Sequence, residues 1–168
     1  MEANASKRTL LVRCLIVNGD LLVNENRLTE ALHLFRDACE IQEEAVGAEP
    51  ESVYHRSTLA SVLASRGRAA QASGARDEAR QSYARAAELS ATMGAQFPSQ
   101  RYSQACYIAL LIPLSPPAAR DSLGFEAISA LRLAIEGGYD NRDAMDRDAD
   151  LESLRGREDF RKLMASID

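Results

Sequence analysis

The chain has 168 residues, 46% hydrophobic and 27% charged, with a formal net charge of −5. That balance is too apolar for disorder and too acidic for a broad phosphate-binding surface, and no apolar run reaches the ~18 residues that span a bilayer. Neither nucleic acid nor a membrane is therefore an expected partner.

The composition points to helix. There are 28 Ala and 20 Leu against 6 Val and 7 Ile. Ala and Leu lose little on entering a helix, whereas β-branched side chains pack better on strands. The hydrophobic period stays near 3.6 along the chain, and no stretch alternates with period two.

The spacing predicts a first helix over 7–24, with Leu11, Cys14, Leu15, Asn18, Leu21 and Leu22 on its buried side. A second helix is expected over 28–46, with Ala31, Leu34, Phe35, Ala38 and Ile41 as its stripe and Gly47 as a left-handed cap. Pro50 suits the start of a third helix over 51–73, which Gly74 stops. The fourth, over 76–93, carries Ala79, Tyr83, Ala86 and Leu89, and a fifth is expected over 100–112. Pro113, Pro116 and Pro117 cannot continue that helix, because proline lacks the donor and clashes with the preceding turn. A sixth helix is expected over 123–136, closed by Gly137-Gly138, and a short amphipathic one over 158–167.

Cys14, Cys39 and Cys106 are odd in number and far apart, and each sits in a helical pattern, so reduced, buried thiols are expected. Glu2 and Arg13 interrupt any secretory signal, which points to a cytoplasmic chain in which the sequon Asn4-Ala5-Ser6 meets no glycosylation machinery.

The sequence repeats itself. Ala31, Phe35 and Ala38 align with Ala79, Tyr83 and Ala86, and these with Ala127, Leu131 and Ala134, at an offset of 48 residues both times (31 to 79 and 79 to 127). Gly19 stands 12 residues before Ala31, and Gly67 12 before Ala79, each on the helix that precedes the alanine's. Small residues at these places let two antiparallel helices approach closely. In the third unit the small residue is Ala105, and 113–120 reads as an insertion.

The runs Leu15-x-x-x-Gly19-x-x-Leu22 then Asn26-x-x-x-x-Ala31-x-x-x-Phe35-x-x-Ala38, and Gly67 then Gly74-x-x-x-x-Ala79-x-x-x-Tyr83-x-x-Ala86, resemble the tetratricopeptide repeat. The resemblance implies an all-α fold. Its form would be a right-handed α-α superhelix, a solenoid of three helical hairpins over 7–46, 51–95 and 99–137 with a C-terminal cap over 138–168, forming one domain over 1–168. The run Ala127-Ile128-x-x-Leu131-x-x-Ala134-Ile135-x-x-Gly138-Tyr139, followed by Asp148-x-Asp150-Leu151-x-x-Leu154-Arg155-x-x-x-x-Phe160-x-x-Leu163, is similar to the C-terminal tetratricopeptide tails of large bacterial, planctomycete-type serine/threonine protein kinases. The sequence itself holds none of the kinase motifs.

Little else suggests chemistry. His33 and His55 have no metal-ligand spacing around them, and no nucleophile elbow or phosphate loop occurs. Asp146-x-Asp148-x-Asp150 opens like a calcium loop, but Leu151 and Arg157 stand where that loop needs Gly and Glu. These acids are expected to cap helix starts, with Asp150 as the N-cap before Leu151. No metal, cofactor or catalytic residue is expected.

Charge is uneven along the chain. Residues 1–50 are net −4, 51–120 net +4, and 121–168 net −5. This suits internal complementarity, with exposed ion pairs worth little each, or a basic groove for an acidic peptide or C-terminal carboxylate. If the first helix of each hairpin lines the concave side, Arg13, Ile16, Asp20 and Asn24 face the groove. Ser61, Ala64, Arg68 and Gln71 from the third helix would join them, with Tyr102 and Ala109 from the fifth. Ile16 and Ala64 stand where the family's carboxylate clamp would place Lys or Asn, so a chaperone-tail binder is not expected. The expected function is a non-catalytic interaction scaffold that docks a protein or peptide. On a kinase the role would be recruitment or regulation. The alternative is self-association as a homodimer, since the first helix has no repeat before it to cover its apolar flank. An enzyme or small-ligand receptor is the third reading.

Overall fold

The computed structural model describes residues 2–139 and 141–167, with side chains described from Lys7 onward, so the sequon side chains lie outside the described residues. Among the described residues all regular structure is helical. The helices are α1 (Glu2–Asn24), α2 (Leu28–Ala48), α3 (Val53–Ala72), α4 (Arg76–Met93), α5 (Pro98–Leu111), α6 (Pro117–Glu136), α7 (Arg142–Arg147) and α8 (Glu158–Ala165). Two 3₁₀ turns, Ile112–Leu114 and Ala149–Leu154, complete the set. The chain divides into two compact units, Met1–Ser82 and Tyr83–Asp168, with the boundary inside α4.

In the first unit α1 packs on α2 and α2 on α3. Gly19 is the reason α1 comes so close. A Cβ built there would lie 2.6 Å from the Phe35 ring, which is itself fully buried. Ala31, Phe35 and Ala69 form the middle of this core, with Leu22, Val23 and Leu32 around them. Gly67 on α3 is buried as well, and Arg66 reaches from α3 to the first turn of α4, giving Glu78 two hydrogen bonds of 3.0 and 2.7 Å.

Two chain reversals are built alike. After α1, Asn26 adopts φ 60°, and the N–H of Arg27 reaches back to Leu22 O at 2.8 Å. After α3, Gly74 adopts φ 85°, and the N–H of Ala75 reaches Ala70 O at 2.9 Å. A left-handed residue past the helix end lets the next amide bond the orphan carbonyls. Asn26 and Gly74 are 48 residues apart, so the repeat offset holds in the backbone as well as in the side chains.

In the second unit α5 packs on α6, the 3₁₀ turn 149–154 packs on α5, and α8 packs on α6. Ala105 lies in α5, and Ala127, Leu131 and Ala134 line the inward face of α6; all four are fully buried. Leu151, Leu154, Phe160 and Leu163 of the tail are buried too, so the C-terminal segment closes this unit's core. Gly138 at φ 100° ends α6 as Gly74 ends α3.

Several expectations need correction. The buried side of α1 is Val12 and Gly19, flanked by Leu15, Ile16, Leu22 and Val23. Leu11, Cys14, Asn18 and Leu21 are exposed instead, because Gly19 fixes which face meets α2 and they fall on the other side. Gly47 is not a left-handed cap; α2 runs through it to Ala48. The expected insertion is mostly helical. Pro117 opens α6, because proline is tolerated in a first turn whose amides have no partner anyway. Ser52, rather than Pro50, starts α3, accepting the His55 N–H at 3.4 Å.

Candidate functional site

The polar face shared by α1 and α3 is the first candidate. Arg13, Asp20, Asn24, Ser61, Arg68 and Gln71 are all exposed, and Ile16 is half-buried. Only part of this set is drawn together. The Asp20 carboxylate lies near the Ser65 hydroxyl and the Arg68 guanidinium, and both favour its charged form. Although the residue as a whole is exposed, partial burial of the carboxylate pushes its pKa above the usual carboxylate value and outweighs both of those favourable neighbours. The Ser61 hydroxyl turns onto its own helix, donating to Ser57 O at 3.1 Å. Ala64 is 1% exposed and lies inside the core, not on this face.

Ser65 was not among the expected residues. It sits four residues after Ser61 and three before Arg68, on the same helical row, so the spacing signal was present. A hydroxyl in a row of small residues simply carries little sequence contrast.

Tyr102 belongs to the second unit and has a different setting. Its hydroxyl donates to Asp148 Oδ2 at 2.6 Å, and its ring stacks on Tyr139 with centroids 4.4 Å apart. Cys106 Sγ lies 3.7 Å from the same carboxylate oxygen. The other oxygen, Oδ1, accepts the Asp150 N–H at 2.9 Å, and Arg155 Nη2 donates to the Asp148 carbonyl at 3.0 Å. Asp148, not Asp150, is therefore the cap of the 3₁₀ turn. Burial raises the pKa of both the Tyr102 phenol and the Cys106 thiol, and the nearby carboxylates raise them further, so both stay protonated. Ala109 is likewise covered, its carbonyl accepting from Ser153 Oγ at 2.7 Å. Tyr102 and Ala109, both expected to face the groove, are thus engaged by the tail instead.

Cys106, Asp148 and Asp150 each offer a ligand atom, all within 4.8 Å of one another. Their chemistry fits a structural knot better than a cation site. The thiol is held protonated, and both Asp148 oxygens already serve as acceptors. Asp146, the first acid of the calcium-like run, pairs with Arg142 at 3.8 Å. His33 is exposed, while His55 Nδ1 lies 3.0 Å from the amide of buried Gln42.

No protein-family model, no curated protein and no solved structure matches the chain. The reading of function therefore rests on the site itself.

Proposed function

We propose that the chain is a non-catalytic helical scaffold that docks an acidic peptide on the α1–α3 face of its first unit. One observation carries this reading: the Ser65 hydroxyl and the Arg68 guanidinium both lie near a carboxylate, that of Asp20, and favour its charged form. A hydroxyl and a guanidinium so arranged suit a side-chain or C-terminal carboxylate of a partner. Arg13, Arg68 and Gln71 supply exposed donors along the same face, and Asn24 and Ser61 extend it. Arg13 and Arg68 on this face favour an acidic ligand. On a kinase tail such as the C-terminal run resembles, the same docking would recruit a substrate or regulate the attached enzyme.

The test is an array of Asp- and Glu-rich nonapeptides, with free or amidated C-termini, probed with the whole chain. Binding concentrated on acidic peptides, and lost in Arg68→Glu and Gln71→Ala, is the expected result. Equal binding by wild type and Arg68→Glu would remove the proposal.

A further inference from the structure

The outward face of α1 carries a row of apolar side chains. Leu10, Val17 and Leu21 are 62, 58 and 55% exposed, and Cys14 is exposed with them. Single exposed leucines are ordinary on soluble proteins. This row is different, because its spacing is four, three and four residues, the alternation of a coiled-coil seam. At 3.6 residues per turn the four side chains fall within about 60° of one another. They lie opposite Val12 and Gly19, the buried side of the helix.

We propose that this row is the seam of an antiparallel α1–α1 homodimer. Charge selects both the occupant and the direction. With Cys14 and Leu21 at a positions and Leu10 and Val17 at d, Arg13 and Asp20 fall at g, and Leu11, Asn18 and Glu25 at e. In a parallel pair, g faces e of the next heptad, which sets Asp20 against Glu25 of the second copy, two like charges. In an antiparallel pair, g faces g. Arg13 of each copy then lies opposite Asp20 of the other, twice over by two-fold symmetry. Leu10 packs against Leu21 of the second copy, and Cys14 against its Val17.

Arg13 is exposed and placed to reach across. Asp20 keeps acceptor capacity beyond its contacts with Ser65 and Arg68, since a carboxylate offers about four lone-pair sites. Leu11, 48% exposed, widens the seam on the e side. So short a seam buries less than the ~800 Å² per partner of a standard interface, so the pair forms at roughly 10–100 μM rather than nanomolar concentration.

Sedimentation velocity of the whole chain from about 5 to about 500 μM is expected to move from monomer to dimer. Val17→Glu, at an exposed position that leaves the helical circular dichroism intact, is expected to stay monomeric. Arg13→Glu is expected to weaken the dimer about tenfold, and the charge swap Arg13→Glu with Asp20→Lys to restore it. Disulfide trapping reads the direction. Cys14 faces position 17 of the second copy, so Val17→Cys is expected to cross-link under mild oxidation at least about tenfold faster than the wild type. A monomer at every concentration, dimers of Val17→Glu, or a swap no better than Arg13→Glu alone would overturn the proposal. Wild-type chains that cross-link through Cys14 as fast as the Val17→Cys variant would do the same, because that result belongs to a parallel pair.

Discussion

Tyr102 and Asp148 stand 46 residues apart in sequence and share a hydrogen bond of 2.6 Å. The bond joins α5 to the cap of the 3₁₀ turn behind it, so one carboxylate holds the C-terminal segment to the helix it covers. A phenol–carboxylate hydrogen bond is among the stronger bonds a neutral donor makes, and its loss leaves Asp148 Oδ2 with only the weakly donating Cys106 thiol at 3.7 Å. Tyr102→Phe is therefore expected to cost about 1.5–3 kcal/mol in urea unfolding. Wild-type stability in that variant would show that packing and the other tail contacts, such as Ser153 Oγ to Ala109 O, hold the segment without it.

The same segment seals the second unit with Phe160, which is 3% exposed. Phe160→Ala removes a buried ring next to Leu163 and Met164 and is expected to destabilise by about 3 kcal/mol. Thermal unfolding checks it, and an unchanged melting temperature would contradict the capping role.

Gly19 sits against the ring of Phe35, and the added Cβ of Gly19→Ala would overlap it. The ring is fully buried and has little room to yield, so the loss is expected to be about 1–3 kcal/mol despite the better helix propensity of Ala. Pairing Gly19→Ala with Phe35→Leu should recover part of the loss if the close approach is the cause. Additive losses in the double variant would show that it is not.

The three thiols should separate by reactivity. Cys14 is exposed; burial holds Cys39 up at about 11, and burial with Asp148 raises Cys106 further still. In dilute solution, where the chain is monomeric, one thiol per chain is expected to react with a disulfide reagent at neutral pH in the native state, the other two about 100-fold more slowly, and all three in denaturant. Fast reaction of two or three native thiols would contradict the burial of Cys39 and Cys106.

Asp20 gives a pH signature of known sign. Its folded pKa is raised, chiefly by burial, so its charged form is disfavoured in the native state. The favourable contribution is present below the unfolded pKa and is lost as pH rises through the folded one. In dilute solution Asp20→Asn is therefore expected to melt higher than wild type at neutral pH, with the gain vanishing as pH falls below the carboxylate range. A variant that melts lower at neutral pH would mean that Ser65 and Arg68 outweigh the burial.

Helix content, helix order and the inward stripes of α2, α4 and α6 were legible because Ala31, Phe35, Ala79, Tyr83, Ala127 and Leu131 recur at helical spacing among polar neighbours. The face of α1 was not, because apolar residues cover most of that helix. Leu10, Leu11, Leu15, Ile16, Val17, Leu21, Leu22 and Val23 leave only the strip of Arg13, Asp20 and Asn24, which lies beside the buried side and not opposite it, and the fit of Gly19 to Phe35 decides which leucines are covered. The proline run misled for a related reason: Pro113 does follow the end of α5, but Pro116 is the N-cap of α6 and Pro117 fits its first turn. On the α1–α3 face the exposed polar residues could be picked by spacing. The engagement of Tyr102 by Asp148 could not, since nothing local in either segment announces a contact spanning 46 residues.

The docking claim is tested most directly by two-dimensional amide NMR of the whole chain, titrated with an acidic nonapeptide bearing a free C-terminus. Saturable shifts are expected at Asp20, Ser61, Ser65, Arg68 and Gln71, and none of them in Arg68→Glu. Shifts confined to the second unit, or none at peptide concentrations up to about 1 mM, the weak end of specific recognition, would contradict it.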